Sequence, residues 1–313
     1  MSKPTHQTLD QELRPTAWDD YVGQELIKKN LKILIQAAGE RNQPPEHLLF
    51  YGPPGLGKTT LAHLIAHETG AALKVTSGPA IEKVGDLASI LTNLNPGDIL
   101  FIDEIHRLNN MVEEILYPAM ESGVLDIIIG KGPSARTVQL DLPPFTLISA
   151  TTRIALLSAP LRSRFSGGVH RLEMYSEDEI QHIAERSAAI LGMTPEPDAL
   201  IEIAKRARST PRTANYFLKR IRDYAQVKKV ELSRETVVDA LELLGIDEQG
   251  LTTIDRMYVD ILRDKFGGGP TGLKTLAAAI NEDENTLEDV IEPYLLRLGL
   301  IEKTARGRMI VEK

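Results

Sequence analysis

The feature that most constrains this chain is a glycine-rich run at residues 52–59, which reads Gly-Pro-Pro-Gly-Leu-Gly-Lys-Thr. An apolar segment at residues 47–51 precedes it, and residues 59–69 carry apolar side chains at helical spacing. The pattern G-x-x-x-x-G-K-S/T between a strand and a helix predicts a phosphate-binding loop. In such a loop, backbone N–H groups and the helix N-terminus hold phosphate oxygens. We therefore expect Lys58 to reach nucleotide phosphates and Thr59 to bind Mg²⁺.

The rest of the first half predicts a sheet around this loop. Further apolar segments of strand length lie at residues 72–76, 98–103 and 145–150. Apolar strands that alternate with helices predict an α/β fold with a parallel sheet covered on both faces. Between the last two strands, two β-rich runs at residues 125–129 and 137–140 flank a Gly/Pro turn at residues 130–133. We expect them to form a protruding hairpin.

Two acidic residues, Asp103 and Glu104, stand at the end of the third predicted strand. A carboxylate at that tip can hold Mg²⁺, directly or through water, and Glu104 can polarise an attacking water as a general base. The alternative is a helix start that happens to carry acids, but the upstream phosphate-binding loop favours the catalytic interpretation. His106 lies nearby and is expected to be a packing or supporting residue.

Composition excludes several other classes of protein. The chain has 313 residues, enough for two or three domains, with 42% hydrophobic and 26% charged residues. It has no cysteine, so disulfides, thiolate metal sites and Cys nucleophiles are excluded. His63 and His67 have the spacing of a zinc pair, but Leu64 stands where that motif needs Glu. With no long apolar run and a polar start, we expect a cytoplasmic protein without a membrane partner.

The second half of the chain predicts helices. Ser176 and Glu179 form a capping box at the start of the first one, and helical patterns continue to about residue 244. The stretch at residues 245–250 is acidic and rich in glycine, so we expect a linker. The net charge of −8 does not exclude DNA as a partner, since residues 204–234 are strongly basic.

The C-terminal part predicts a winged helix. Helical patterns at residues 254–262 and 273–280 are followed by a third helix, which we expect Thr286 to cap with Asp289. Predicted strands at residues 298–301 and 309–311 then flank a basic turn. Three helices with a basic hairpin are typical of a nucleic-acid-binding module.

Several runs of residues together make the chain resemble the RuvB family of AAA+ ATPases, which drive Holliday junction branch migration. These runs lie at residues 52–63, 75–82, 98–107, 117–121, 150–153 and 292–294. The resemblance implies an AAA+ ATPase domain at residues 1–172, a small helical domain at 173–247 and a winged-helix domain at 248–313. It also implies an ATP-driven DNA motor of recombination and repair that forms hexameric rings.

The resemblance assigns roles around the nucleotide. Thr151 matches sensor 1, which helps to orient the attacking water, and Arg212 matches sensor 2, which reaches the γ-phosphate. Arg164 matches the arginine finger that acts on the ATP of a neighbouring subunit, with Arg162 as a local competitor. Tyr175 matches a residue on the lid side of the nucleotide. The remaining residues matched to ATP binding are Leu13, Arg14, Tyr21, Val22, Gly55, Leu56, Gly57 and Thr60.

Partners also follow from the resemblance. The hairpin at residues 125–140 matches the element that docks on RuvA, although it could instead fold into its own core. In the C-terminal hairpin, Lys303, Arg306 and Arg308 match a DNA-binding wing, where contacts to phosphates would be sequence-independent and sensitive to salt. The RuvC resolvase is a further candidate partner.

Two other functions remain open at this point. A clamp-loader subunit is also an AAA+ switch, but its third domain is usually a helical collar, and the basic winged helix favours the motor. A DNA-binding regulator could use ATP only for assembly, but it would not need the complete set of Glu104, Thr151, Arg164 and Arg212.

Overall fold

The computed structural model describes residues 8–129 and 136–311. The chain forms two compact units, residues 1–175 and 176–313. The first unit is built on a five-stranded sheet in the order β2-β3-β6-β1-β7, in which all pairs are parallel. Its strands are β1 Leu48–Tyr51, β2 Leu73–Ser77, β3 Ile99–Asp103, β6 Thr146–Thr151 and β7 Gly168–Arg171. The predicted α/β class and the four predicted strands are confirmed.

The sheet explains why one strand escaped prediction. The three inner strands are buried along almost their whole length, as continuous apolar runs require. The edge strand β7 alternates between half-buried and exposed residues instead. Its short sequence, Gly-Val-His-Arg, therefore lacks the apolar run by which the others were found.

The helices of the first unit cover this sheet. They are α1 Leu9–Glu12, α2 Glu25–Glu40, α3 Lys58–Thr69, α4 Val84–Thr92, α5 Asn110–Glu121 and α6 Ala159–Ser163. Short 3₁₀ turns occupy Trp18–Asp20, Gly78–Ala80, Ile105–Arg107 and Ile154–Leu156. One apolar core joins α4 and α5 to the sheet through fully buried residues such as Leu87, Leu116 and Leu147. A packed interior therefore holds in place the strands whose ends carry the polar residues.

The predicted hairpin is present as β4 Val124–Ile129 and β5 Arg136–Asp141, which pair antiparallel. The predicted turn at residues 130–133 lies outside the described residues. At the base of the hairpin Leu125 is fully buried in the core of the first unit, and Leu142 beside it is buried too. Farther out, Val138 is exposed. The base therefore belongs to the core, while at least one apolar side chain of the hairpin faces solvent.

The second unit begins with four helices, α7 Glu177–Ile190, α8 Pro197–Arg206, α9 Pro211–Lys228 and α10 Arg234–Leu243. The predicted capping box is confirmed, since Ser176 N–H donates to the Glu179 carboxylate and Glu179 N–H donates to Ser176 Oγ. The acidic stretch at residues 245–250 is not a loose linker. The Asp247 carboxylate accepts N–H groups of Gln249 and Leu251, and Ile246 is buried. These bonds hold the stretch as a tight, packed turn.

The second unit ends in a winged helix. It consists of α11 Thr253–Asp260, a π-helical turn Ile261–Lys265, α12 Leu273–Ile280, α13 Glu284–Thr286, a π-helical turn Leu287–Ile291, α14 Glu292–Arg297, β8 Ile301–Thr304 and β9 Gly307–Ile310. These elements enclose an apolar core that includes Leu262, Leu276 and Leu295. The predicted winged-helix fold is confirmed.

Two details of the predicted winged helix are wrong. Thr286 does not cap the third helix, because the helix begins earlier, with the Asp283 side chain accepting the N–H of Asn285. The segment at residues 298–300 is not strand, since Leu298 N–H completes the preceding helix and Gly299 turns the chain with φ +64°. Apolar side chains alone could not distinguish a helix end from a strand here. Within the described part of the chain, no helix is long and apolar enough to cross a membrane.

Candidate nucleotide-binding site

The glycine-rich loop has a conformation that requires its glycines. Gly52, Gly55 and Gly57 have φ of +138°, +81° and +96°, values that residues with a side chain rarely adopt. A Cβ on Gly57 would lie 2.9 Å from the Tyr21 hydroxyl oxygen. Helix α3 begins immediately afterwards, so the first N–H groups of the helix point towards the loop. The predicted phosphate-binding geometry is present.

Lys58 lies against the inside of this loop. Its side chain is buried, and Nζ donates to the carbonyl oxygens of Gly52 and Pro53, each at 2.8 Å. A buried ammonium group has to be compensated by acceptors nearby. Here the loop itself supplies the acceptors, so the charge is fixed beside the N–H groups that would hold a phosphate.

Four of the residues matched to ATP binding are enclosed by the protein. Leu13, Tyr21, Leu56 and Tyr175 are all buried. The two tyrosine hydroxyls lie 3.4 and 3.2 Å from the Leu56 carbonyl oxygen and 3.3 Å from each other. Burial raises the pKa of Tyr21 well above its usual value, and Tyr175 adds to the shift. The Tyr21 hydroxyl therefore stays neutral, and the two hydroxyls tie Tyr21 and Tyr175 to the loop.

The other matched residues of this group are less enclosed. Arg14 and Val22 are half-buried, as are Thr59 and Thr60 at the start of α3. Burial lowers the pKa of Arg14, and the nearby Asp10 opposes that shift. These positions leave polar groups within reach of the solvent around the loop.

The carboxylates lie at the tip of a strand in the same sheet. Strand β3 ends at Asp103, whose Oδ1 accepts the N–H of Glu104 at 2.9 Å. Glu104 adopts φ +48°, an unusual conformation for a residue with a side chain. Its side chain is 46% exposed, and its carboxylate lies 3.4 Å from Arg107 Nη1. The left-handed turn thus places one acid against the backbone and the next one outward.

Thr151 ends strand β6, which lies between β3 and β1 in the sheet. It is paired with Tyr51 of β1, and its carbonyl accepts the Gly52 N–H at 3.3 Å. The phosphate-binding loop, Thr151 and Asp103 therefore follow three adjacent parallel strands. Ligands of open α/β sheets bind at this carboxyl edge.

His106 lies against the predicted sensor, in the place of a supporting residue. Thr151 is 1% exposed, and its Oγ1 lies 2.9 Å from His106 Nδ1 while it accepts the N–H of Arg153 at 3.0 Å. Burial lowers the pKa of His106, which keeps the ring neutral. His106 therefore fixes the hydroxyl of the predicted sensor. Thr152, the next residue, is exposed, so it offers a second hydroxyl at the same strand end.

Arg164 caps α6 and is held within its own unit. Its Nη2 lies 3.0 Å from Glu121 Oε1, and Nη1 donates to the Pro160 carbonyl at 2.7 Å. The guanidinium carbon lies 4.4 Å from the ring centre of Tyr117, a cation–π contact. The side chain is nevertheless 20% exposed. Arg162, the competitor from the sequence, is half-buried.

The remaining predicted residues lie in the second unit. Arg212 is the second residue of α9 and is exposed. Lys303 and Arg308 face each other across the wing, and both bind the carboxylate of Glu292, at 2.7 and 2.8 Å. Arg306 lies in the turn between the two strands and is exposed. The structure therefore separates Arg306 from the two other residues that were predicted with it.

The described side chains fit a Mg²⁺ ion that a nucleotide shares with the protein. Among residues 8–129 and 136–311, no group of three or more His, Cys or acidic side chains could hold a metal ion. Mg²⁺ in nucleotide sites is usually bound by one or two protein groups together with phosphates and water. Thr59 at the start of α3 and Asp103 at the tip of β3 match that pattern.

A phosphate-binding loop after the first strand of such a sheet, with acids at the tip of another strand two places away and a helical unit following in the chain, defines a P-loop ATPase of the AAA+ class. Three family profiles match the chain: the RuvB Holliday junction DNA helicase P-loop domain over residues 13–172, the RuvB AAA lid domain over 175–247 and the RuvB C-terminal winged-helix domain over 248–313. The chain belongs to the RuvB family.

Individual relatives agree with the profiles. The Holliday junction branch migration complex subunit RuvB of Fusobacterium nucleatum is 53% identical over 314 residues, covering 100% of this chain and 94% of that one. The solved Thermotoga maritima RuvB branch migration motor matches with a TM-score of 0.87 and 45% identity, covering 96% of both chains. A point variant of that protein matches with a TM-score of 0.88.

These findings confirm the family, the fold class and the motor ATPase that the sequence predicted. They support the branch-migration interpretation and not the clamp-loader alternative. The domain boundaries and the roles of individual site residues stay predictions.

Proposed function

We propose that this chain hydrolyses ATP at the carboxyl edge of its first sheet and uses the energy to move duplex DNA at four-way junctions, in recombination and repair. The observation that carries the proposal is the alignment of three strand ends. The phosphate-binding loop, Thr151 and the Asp103–Glu104 pair follow neighbouring strands in a chain of the RuvB family. The winged helix in the same chain supports DNA as the load.

In this proposal the nucleotide is ATP with Mg²⁺. Residues 55–60 hold the phosphates, with Lys58 reaching the β- and γ-phosphates. Leu13, Arg14, Tyr21, Val22 and Tyr175 surround the adenine end. Thr59 and Asp103 would hold Mg²⁺, which would supply positive charge against the negative charge that develops on the phosphates.

Glu104 is the general base. Its exposed carboxylate, one residue beyond Asp103, is directed outward by its left-handed backbone. Only Arg107 pairs with it among the described ion pairs of the chain, and at 3.4 Å the pair is long enough to be exchanged for water. Thr151, whose hydroxyl is held by His106, orients the attacking water. The exposed Thr152 is a second candidate for this role. Arg212 acts on the γ-phosphate.

Arg164 completes the site of a neighbouring subunit in a hexameric ring. Its guanidinium is partly exposed and is held by Glu121 and Tyr117, so its position is defined before any neighbour arrives. A preorganised guanidinium against transition-state charge can contribute about 10³–10⁵ in rate.

The partners follow the same logic. Arg306 is the residue of the wing best exposed to reach DNA phosphates. The hairpin at residues 125–140 offers the exposed Val138 to RuvA. RuvC is a further partner of the assembled complex. The protein acts in the cytoplasm.

Steady-state ATP hydrolysis tests the catalytic assignment. Lys58→Ala and Glu104→Gln should each lower kcat at least about a hundredfold, because each removes a group aimed at the reacting phosphate or water. The matched control is Glu114→Gln, which neutralises an exposed acid on α5 away from the strand tips. Turnover retained in both site variants would remove the assignment. It would also revive the regulator that uses ATP only for assembly.

Mixed subunits test the ring. Arg164→Ala lacks the finger and Glu104→Gln lacks the base, but a ring containing both keeps some complete sites if the finger acts in trans. Mixing the two inactive variants should therefore restore part of the activity. No recovery at any mixing ratio would contradict a finger that acts in trans. Arg162→Ala serves as the comparison for the competing arginine.

A further inference from the structure

The turn between α8 and α9 has an unusual backbone. Arg208 and Ser209 are consecutive, neither is glycine, and both adopt left-handed conformations, with φ of +53° and +55°. This conformation is disfavoured for every residue that carries a side chain. Such strain persists only where the surroundings impose it, and it gathers at functional sites. The contacts that impose it here come from the winged helix.

The Arg208 side chain is bound entirely by residues beyond the lid helices. Its Nε donates to the Gly250 carbonyl at 2.9 Å, and Nη2 pairs with the carboxylate of Asp255 in α11. Its guanidinium carbon lies 4.7 Å from the ring centre of Tyr294 in α14. Asp255 is 1% exposed, so this ion pair is shielded from solvent on the acidic side.

A second arginine holds the backbone of the same turn. Arg297, at the end of α14, donates through Nη1 to the Arg208 carbonyl at 3.4 Å and through Nη2 to Ser209 Oγ. Gly250 lies so close to this region that a Cβ there would be 2.6 Å from the Arg206 carbonyl oxygen. Side chain, carbonyl and hydroxyl of the turn are thus all bound by the winged helix and the segment before it.

This turn leads directly into the predicted sensor. Thr210 N–H donates to the Ala207 carbonyl at 3.1 Å and closes the turn. Thr210 then caps α9, with Oγ1 accepting the Thr213 N–H, and Pro211 and Arg212 are the first two residues of the helix. Because Arg212 comes three residues after the left-handed pair, the dihedral angles at Arg208 and Ser209 set the direction of its backbone.

We propose that Arg208 is a positioning residue for Arg212, and that Asp255, Tyr294 and Arg297 make the winged helix a working part of the ATPase. The proposal rests on the proposed role of Arg212 at the γ-phosphate and adds what controls it. Contacts that only joined the two domains would not need a strained backbone beside the sensor. The strained pair connects the domain that binds DNA to the residue that reads the nucleotide.

The test compares substitutions at Arg208 in the full chain. Arg208→Ala removes the contacts and leaves a side chain that resists the left-handed turn, so kcat should fall about tenfold, equivalent to one 1.4 kcal/mol step. Arg208→Gly also removes the guanidinium, but glycine adopts this conformation freely, so kcat should recover to within about threefold of the unmodified protein. Equal losses in both variants would overturn the positioning role.

The matched control is Arg256→Ala. Arg256 lies in the same junction and donates to the carbonyls of Leu251 and Gly245, but it does not bind the strained turn. Its loss should leave kcat unchanged. Hydrogen exchange across residues 253–310 checks that every variant keeps the winged helix folded. A loss of kcat in Arg256→Ala equal to that in Arg208→Ala would mean that any damage to the junction has the same effect, and would overturn the proposal.

Arg212→Ala distinguishes a failure of the proposed role of Arg212 from a failure of the positioning role of Arg208. If Arg208 acts through Arg212, the double variant should be no slower than Arg212→Ala alone. Additive losses would overturn the proposal. If Arg212→Ala itself hydrolyses ATP normally, the proposed role of Arg212 fails. If Arg212→Ala is impaired while Arg208→Ala, Asp255→Asn and Arg297→Ala are not, Arg212 keeps its role and only the positioning inference is wrong.

Discussion

The nucleotide site and the wing use the same residue types in opposite ways. At the tip of β3, Glu104 is 46% exposed and its only described ion pair is a long one to Arg107. Under the wing, Glu292 is fully buried and binds Arg308, Lys303 and the Tyr258 hydroxyl. An exposed carboxylate is free to act on water, whereas a buried one must keep its partners. Charge in the sequence therefore does not reveal function until exposure is known.

The contacts of this buried cluster also shift the pKa values of Glu292 and Arg308. Burial alone would raise the pKa of Glu292, but hydrogen bonds from Arg308, Lys303 and Tyr258 outweigh it and lower the pKa. The same contacts raise the pKa of Arg308, with the hydrogen bond to Glu292 as the main cause. These shifts describe a group whose charge stabilises the fold. We expect it to link α14, α11 and the wing rather than to contact DNA.

The same Glu→Gln substitution should destabilise the winged helix but leave the stability of the first unit almost unchanged. Glu292→Gln removes the buried carboxylate that Lys303 and Arg308 share, leaving them only the more exposed Glu288, and should lower the free energy of unfolding of the winged helix by about 3 kcal/mol. Glu104→Gln should change stability by less than about 0.5 kcal/mol, because its carboxylate is exposed. Hydrogen exchange in each unit measures both effects. Equal stability in the two variants would contradict the comparison.

Within the wing, the comparison predicts different roles for two arginines. Arg306→Ala should weaken duplex binding and lower the slope of log K against log salt by about 1, since an exposed cation releases about one counterion on binding a phosphate. Arg308→Lys should leave that slope unchanged, because its guanidinium is occupied by Glu292 and Glu288. Binding titrations at several salt concentrations measure the slopes. A lower slope for Arg308→Lys alone would reverse the assignment.

A smaller effect separates the two units by pH. Burial lowers the pKa of His47, His63, His106 and His170, all in the first unit. The folded state favours the neutral form of each histidine, so their contribution to the free energy of unfolding is fully present above their ordinary pKa of 6.5. That contribution is lost as pH falls towards the lower pKa values of the folded state. Glu292 has a lowered pKa, so its contribution persists until pH falls below its ordinary value of 4.5.

The backbone amides of the first unit should therefore lose protection from hydrogen exchange between pH 7 and 5.5, while those of the winged helix keep theirs. Hydrogen exchange at several pH values, corrected for the intrinsic rate, measures this. For His47, burial lowers the pKa and the contact with Met120 opposes the shift. Nδ1 accepts the Leu147 N–H at 2.9 Å, and Nε2 lies 3.1 Å from the Met120 carbonyl oxygen. A His47→Gln variant should show a weaker dependence on pH. A parallel loss in both units would contradict the assignment.

The sequence predicted what depends on short motifs and apolar runs. The phosphate-binding loop, the acids at the strand tip and the inner strands were found because each is set by neighbouring residues in the chain. The edge strand β7 was missed because it is half-exposed, and Thr286 was placed wrongly because Asp283 is an equally good cap. Local pattern could not choose between two capping residues that lie three positions apart.

Contacts between distant residues could not be predicted from pattern. Lys303 and Arg308 were predicted to bind DNA, and the sequence pattern could not show that Glu292, earlier in the chain, binds both. In the same way, the contact between His106 and Thr151 and the strained turn at Arg208 depend on tertiary packing. Each becomes visible only once the strands and helices are in place.

The most direct test of the motor is strand exchange on a synthetic four-way junction, measured with ATP and RuvA present. The unmodified chain should convert the junction to duplex products, and Glu104→Gln should bind the junction without converting it. Omitting ATP should have the same effect as the substitution. Conversion that continues in Glu104→Gln, or without ATP, would contradict the claim that hydrolysis at this strand edge moves the DNA.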